Sequence, residues 1–165
     1  MASKQRIEER PVFEGCRIIF RNFKGEQTQF NRAGDRNFCV VIEDLEAAKR
    51  LEADGWNIKY RPPLDEGDEE MAYLPVAVSF ANVPPSIVML SSKGRTRLDE
   101  STIDILDYAE IENVDIIVNP YNWSVNGKSG VKAYVKTMYV TIHEDELALK
   151  YAHLDTNDPV DDMPF

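Results

Sequence analysis

Residues 115–142, DIIVNPYNWSVNGKSGVKAYVKTMYVTI, set the terms for the rest of the chain. An apolar run of Ile116, Ile117 and Val118 breaks at Asn119 and Pro120, turns at Asn126 and Gly127, and returns as an alternating run from Val131 onward. Asn-Gly between two such runs is a strong short-range hairpin signal, because both residues tolerate the positive φ of the favoured two-residue turn. The loop expected between the runs carries Tyr121 and Trp123 near its tip, with Lys128 and Lys132 close behind. Flat rings beside cations suit a single-stranded nucleic acid, whose bases stack on rings and whose phosphates sit against ammonium groups. The same residues also suit the end of a core dressed with solubilising lysines, so the hairpin alone leaves both readings open.

The returning strand contains a conflict of phase. Lys132, Tyr134 and Lys136 alternate on one face, yet Met138, Val140 and Ile142 fall on that same face. A β-bulge near Thr137 resolves it, with Ala133 and Val135 inward before the shift and Met138 onward inward after it. A long strand bent in this way is typical of small barrels.

A chain of 165 residues suits one domain with a tail, large enough for a core that needs neither disulfide nor metal. No apolar run approaches the roughly 18 residues of a membrane span, and the opening MASKQRIEER has no signal-peptide core, so a cytoplasmic location without membrane contact is expected. Cys16 and Cys39, the only cysteines, each lie in an apolar strand-like run and read as reduced, buried small hydrophobes.

The formal charge of −10 argues against nucleic acid until its distribution is considered. Residues 144–165 hold seven acids and one lysine, and residues 65–70 hold five acids. Setting aside these −6 and −5 contributions leaves a body of +1, on which basic loops can act locally.

Residues 12–23 form the first expected strand, followed by a polar loop. Phe23, Lys24, Phe30, Arg32 and Arg36 repeat there the ring-and-cation mixture of the hairpin. Residues 37–42 read as a strand buried on both faces, and residues 44–54 as a helix capped by Asp44 and ended by Gly55. A short strand over 56–61 offers Trp56, Lys59, Tyr60 and Arg61 as contacts, with core packing the better reading for Trp56. The acidic linker at 65–70 is too charged to pack. Strands follow at 73–80 and 87–90, then SSKGRTR, where Lys93, Arg95 and Arg97 fit either a phosphate-contacting turn or a plain solvated loop. A second helix is expected over 98–109 with Asp99 as N-cap, and a third over 144–154. Residues 155–165, DTNDPVDDMPF, lack the apolar content to offset ordering entropy and are expected to be disordered.

Several chemistries lack their signatures. Cys16, Cys39, His143 and His153 show no paired zinc-ligand spacing, and neither GxGxxG nor GxxxxGK[ST] occurs. The acid pairs, Asp65 with Glu66 among them, lie in segments expected to be solvated or mobile. No catalytic residue, metal or cofactor is therefore expected.

The element order, with a helix ahead of the last two strands, resembles the OB-fold, whose ligands contact the first and last hairpin loops. The fold expected is mainly β with inserted helices, a five-stranded Greek-key OB barrel over residues 1–154, followed by the acidic tail over 155–165. The terminal DDMPF resembles the acidic tip of bacterial single-stranded-DNA-binding proteins, with Asp161, Asp162, Pro164 and Phe165 matching and Met163 standing where isoleucine is usual. Residues 114–142 are similar instead to phage single-stranded-DNA-binding proteins. The resemblance implies a nonenzymatic, sequence-tolerant binder of single-stranded DNA in phage or bacterial replication and recombination, acting in the bacterial cytosol. It also implies recruitment of replication or recombination proteins through Asp161, Asp162, Met163, Pro164 and Phe165, and it is compatible with a homo-oligomer. The DNA contacts it implies are Arg21, Phe23, Lys24, Phe30, Arg32, Arg36, Lys59, Tyr60, Lys93, Arg95, Arg97, Tyr121, Trp123, Lys128, Lys132, Tyr134 and Lys136. Two other readings stay open: a scaffold domain in which only the tail matters, and a metal-dependent nuclease.

Overall fold

The computed structural model describes residues 9–63, 65–67, 69–81 and 83–144. The first expected strand is split at Arg17 into β1 (Val12–Cys16) and β2 (Ile18–Asn22). There follow β3 (Arg36–Ile42), the helix α1 (Leu45–Asp54), β4 (Lys59–Arg61), β5 (Met71–Val78), β6 (Ser86–Ser91) and β7 (Gly94–Leu98). A single 3₁₀ turn, Ile103–Asp107, precedes β8 (Ile111–Val125) and β9 (Lys128–Ile142).

The main sheet runs β1-β8-β9-β5-β3-β2, with β4 paired to β5 and the β6–β7 hairpin paired to β9. Since β1 and β2 are halves of one bent segment, the path begins and ends on the same stretch of chain. It therefore has five members, as in an OB-type Greek key, with β5 and β9 parallel and the other contacts along the path antiparallel. Val41 N–H donates to Arg17 O, and Val118 N–H donates to Pro11 O, so each half of the bent segment is tied to its own neighbour.

The hairpin is longer than its sequence implies. Asn126 (φ 52°) and Gly127 (φ 79°) make the turn alone, and pairing runs from Val125↔Lys128 down to Ile111↔Ile142. The loop expected at 120–131 is therefore a β-arm, with Tyr121 opposite Lys132 and Trp123 opposite Gly130. Pro120 is tolerated for a positional reason. Val118 N–H points at Pro11, so the N of residue 120, two positions on, faces the same edge beyond the end of β1, where a missing donor leaves no ladder bond unmade.

The bulge is where the phase conflict placed it. Ile117 pairs with Thr137 and Val118 with Val135, leaving Lys136 extra on β9. Val131, Ala133 and Val135 are buried on one side of it, and Met138 and Val140 on the other.

The helix α1 follows its signals. Asp44 caps it by accepting from Glu46 N–H, and Gly55 closes it at φ 111°. Gly55 O then accepts Val131 N–H at 3.1 Å, which docks the helix end on β9 and drives Trp56 into the core at 3% exposure. The helix expected at 98–109 does not form. Leu98 ends β7 opposite Ile87, and the Asp99 carboxylate accepts from Ser101 N–H, Ser101 Oγ and Thr102 Oγ1, a local turn that competes with helix. The Ser101 hydroxyl and the other bonds in that turn hold Asp99 below the usual carboxylate range. SSKGRTR is a hairpin rather than a loop, its Gly94 at φ 110°. The helix expected over 144–154 lies, but for Glu144, outside the described residues, as does the tail 155–165. The described residues of 65–70 are exposed.

Phe23 belongs to the core. It is fully buried and stacks on Phe38 with ring centroids 5.0 Å apart, which removes it from any set of base-stacking rings. Both cysteines are free, and burial pushes their thiols up to about 11. Phe23→Ala should therefore lower unfolding free energy by about 3–5 kcal/mol, the usual range for emptying a buried phenyl site. Urea denaturation measures this, and a change under about 1 kcal/mol would contradict the packing described.

Candidate nucleic-acid interface

One face of the arm gathers two exposed rings, Tyr121 and Trp123, with the half-buried Tyr134. Asn119, Tyr121, Trp123 and Val125 alternate along β8 and pair with Tyr134, Lys132, Gly130 and Lys128 of β9, so all eight share a face. Tyr121 meets Tyr134 edge to face at 6.1 Å, and Lys132 Nζ stands 5.1 Å from the Tyr134 ring centroid. Trp123 lies across Gly130. A Cβ on that glycine would come within 2.8 Å of indole Cζ2 and 3.0 Å of Cε2. Only a residue without a side chain lets the ring lie flat there.

Beside the arm runs a groove of about 860 Å³, bounded by Gly34, Asp35 and Arg36 at the end of the first loop, by residues 75–81 of and after β5, and by residues 129–134 of β9. Its floor includes Asn37, Pro75 and Ala77, the positions of β3 and β5 that face away from the buried Phe38, Val76 and Val78. Trp123, Tyr134 and Phe80 supply rings; Arg36 and Lys132 supply positive charge, against Asp35, Glu52 and Glu100. Charge in the groove is thus mixed, and three rings stand along it.

The first loop is stitched shut. Asn22 Oδ1 accepts from Gly25 and Glu26 N–H, and Asn31 Nδ2 donates to the carbonyls of Glu26, Arg32 and Asp35. At the neck Gly34 N–H donates to Gly25 O at 2.8 Å, and a Cβ on Gly25 would press on the Gly34 carbonyl carbon at 3.1 Å. This presents Phe30 at 90% exposure. Lys24 pairs with Glu26, whose hydrogen bond raises the Lys24 pKa, and Arg32 pairs with Asp35 at 3.3 Å.

The structure separates several of the expected contacts from this groove. Arg21 donates to the carbonyls of Leu106 and Ala109 at 2.8 Å each, capping the 3₁₀ turn. Tyr60 is half-buried against the core, its hydroxyl donating to Glu52, with burial raising its pKa above the ordinary phenol value. Lys59 lies on β4, which pairs with the first residues of β5. Lys93, Arg95 and Arg97 belong to the β6–β7 hairpin, which joins β9 at residues 137–141, beyond the bulge from the arm; Arg95 sits 5.9 Å from the Tyr139 ring centroid there. Lys136 is the exposed extra residue of the bulge. Arg36 does line the groove while donating to Phe23 O. Phe80, Gly130 and the Pro75–Ala77 floor went unrecognised. Phe80 follows the core phase of Leu74, Val76 and Val78, so it reads as another core residue.

A family model describing the phage ssDNA-binding domain matches residues 1–162. The chain belongs to this family. No curated protein matches it. Among solved structures it is similar to the C-terminally truncated single-stranded DNA-binding protein of bacteriophage Enc34, at 8% identity and TM-score 0.52 over 81% of this chain and 86% of that one. The Enc34 protein in complex with ssDNA gives 11% identity and TM-score 0.51 over the same shares. At such identity the likeness establishes the fold, which agrees with the five-member path above.

Among the described residues no three His, Cys, Asp or Glu side chains group to hold a metal, and no helix is long and apolar enough to cross a membrane. For a phage ssDNA-binding domain the arm's dependence on Gly130 has a direct consequence. Gly130→Ala should lift the indole, alter tryptophan emission and weaken oligo-dT binding by about 1 kcal/mol or more, at the low end for one lost stack. Unchanged emission and affinity would show that Trp123 does not rest on Gly130.

Proposed function

We propose that the protein is a sequence-tolerant, nonenzymatic binder of single-stranded DNA serving phage replication and recombination, and that residues 155–165 recruit partner proteins. The observation that carries the first part is the aromatic face of the arm, opened beside a groove whose floor includes Asn37, Pro75 and Ala77. Bases of any identity stack on such rings, and Lys128, Lys132 and Arg36 stand where phosphates would pass. The position of the groove, between the first loop and the last hairpin, is the ligand-binding side of an OB-fold. The solved Enc34 relative bound to ssDNA supports the same reading.

The second part is supported by composition. Asp155, Asp158, Asp161 and Asp162 with no base make the tail net −4, and Phe165 is its only ring. A partner pocket that is apolar and rimmed by Arg or Lys fits such a segment. The same charge would compete with DNA for the arm's lysines at low salt.

One set of measurements tests both parts. Titration of the full chain with end-labelled oligo-dT, with and without magnesium, should give saturable binding and an intact oligonucleotide. Deletion of Phe165 should leave that affinity almost unchanged while losing partners captured from host lysate by the full chain. Absence of binding removes the DNA reading and favours a scaffold, cleavage favours a nuclease, and equal capture by the Phe165 deletion removes the tail from recruitment.

A further inference from the structure

Two non-glycine residues among those described have positive φ: Asn126, in a turn that asks for it, and Phe20 at 53°. Phe20 sits in a bulge. Ile19 pairs with Cys39 and Asn22 with Asn37, so Phe20 and Arg21 together oppose the single residue Phe38. Glycine is the usual residue in the left-handed position of such a bulge, and a bulky side chain there is strained. Arg21 turns away to bond the 3₁₀ turn, whereas Phe20 leaves 56% of its surface in solvent, its ring edge-on to Tyr73 at 5.6 Å. Strain and a largely exposed phenyl are two separate penalties. Such a combination points toward a binding role.

The location supports that role. Tyr73, Pro75 and Ala77 alternate with the buried Ala72, Leu74 and Val76, so they share the outer face of β5. Ala77 pairs with Tyr134 of the arm. Tyr73 therefore lies on the same face as the arm's rings, four residues or about 13 Å further along β5. The groove floor at Pro75 and Ala77 connects the two places. Lys59, the exposed cross-strand partner of Tyr73, adds a cation at the far end.

We propose that Phe20 and Tyr73 form a second base-stacking station, which takes a nucleotide of the same single strand a few positions beyond those held by Trp123, Tyr121 and Tyr134. This rests on the ssDNA reading of the arm and extends its track across β5. The bulge is then a device for aiming a ring outward.

Phe20→Gly provides the test, because it removes the ring and relieves the strained backbone together. The variant should keep or raise the melting temperature. It should bind oligo-dT of about four nucleotides as the wild type does, yet lose about 5- to 140-fold in affinity for oligo-dT of about twelve, the equivalent of one stacked base. Unchanged affinity for the longer oligonucleotide overturns the proposal. So does an equal loss at both lengths, and a lowered melting temperature alongside would identify Phe20 as a cover over Cys39 and Val41. If wild type binds neither length, the reading of the arm fails and the station falls with it.

Discussion

The bulge at Lys136 is the constraint on which the rest of the structure depends. Strand β9 has to bury Val131, Ala133 and Val135 in its first half and Met138 and Val140 in its second, and these sets differ in phase by one residue. Without the extra residue one set would face water, at about 1.5–3 kcal/mol for each large side chain. With two large side chains in either set, that loss is a substantial fraction of the about 5–15 kcal/mol stability of a typical domain. With it, β9 pairs along its full length with β8, while its other edge takes Trp56, then β5, then β6. The helix, the sheet path and the groove all take their places from that edge.

The same shift sets which side chains the arm turns outward. Before the bulge, Lys132 and Tyr134 face outward opposite Tyr121 and Asn119, and Gly130 leaves room for Trp123. The arm is held by ladder bonds and a two-residue turn, so its rings are pre-arranged and little ordering entropy remains to be lost on binding. Acids line the groove beside Arg36 and Lys132, and the chain as a whole is strongly negative. On the proposed reading, aromatic stacking, which does not depend on net charge, is what lets such a chain hold a polyanion.

Much of this was legible in residues 115–142. The Asn-Gly turn gave the hairpin, and the clash between Lys132, Tyr134 and Lys136 on one side and Met138 and Val140 on the other gave the bulge. The full register was also implicit. A two-residue turn at 126–127 pairs 123 with 130, but Asn119 and Pro120 read as a break because only the three-dimensional edge shows where Pro120 needs no donor. Phe23 misled for a related reason: it stands just past the end of β2, next to the exposed Lys24, and nothing local reveals that Phe38 stacks on it. Asp99 signalled a helix start, yet the Ser101 and Thr102 that follow it favoured a closed turn. The groove was invisible, since Pro75 and Ala77 carry no chemistry of their own. Neighbouring strands make them a floor.

The most direct measurement is a map of backbone amide shifts by NMR as the protein is titrated with oligo-dT. The account predicts the largest changes in residues 121–134, in 76–80 of and after β5, and in 30–37 at the end of the first loop, with the β6–β7 hairpin around Lys93, Arg95 and Arg97 little affected. Changes centred on that hairpin, with the arm and β5 unmoved, would contradict it.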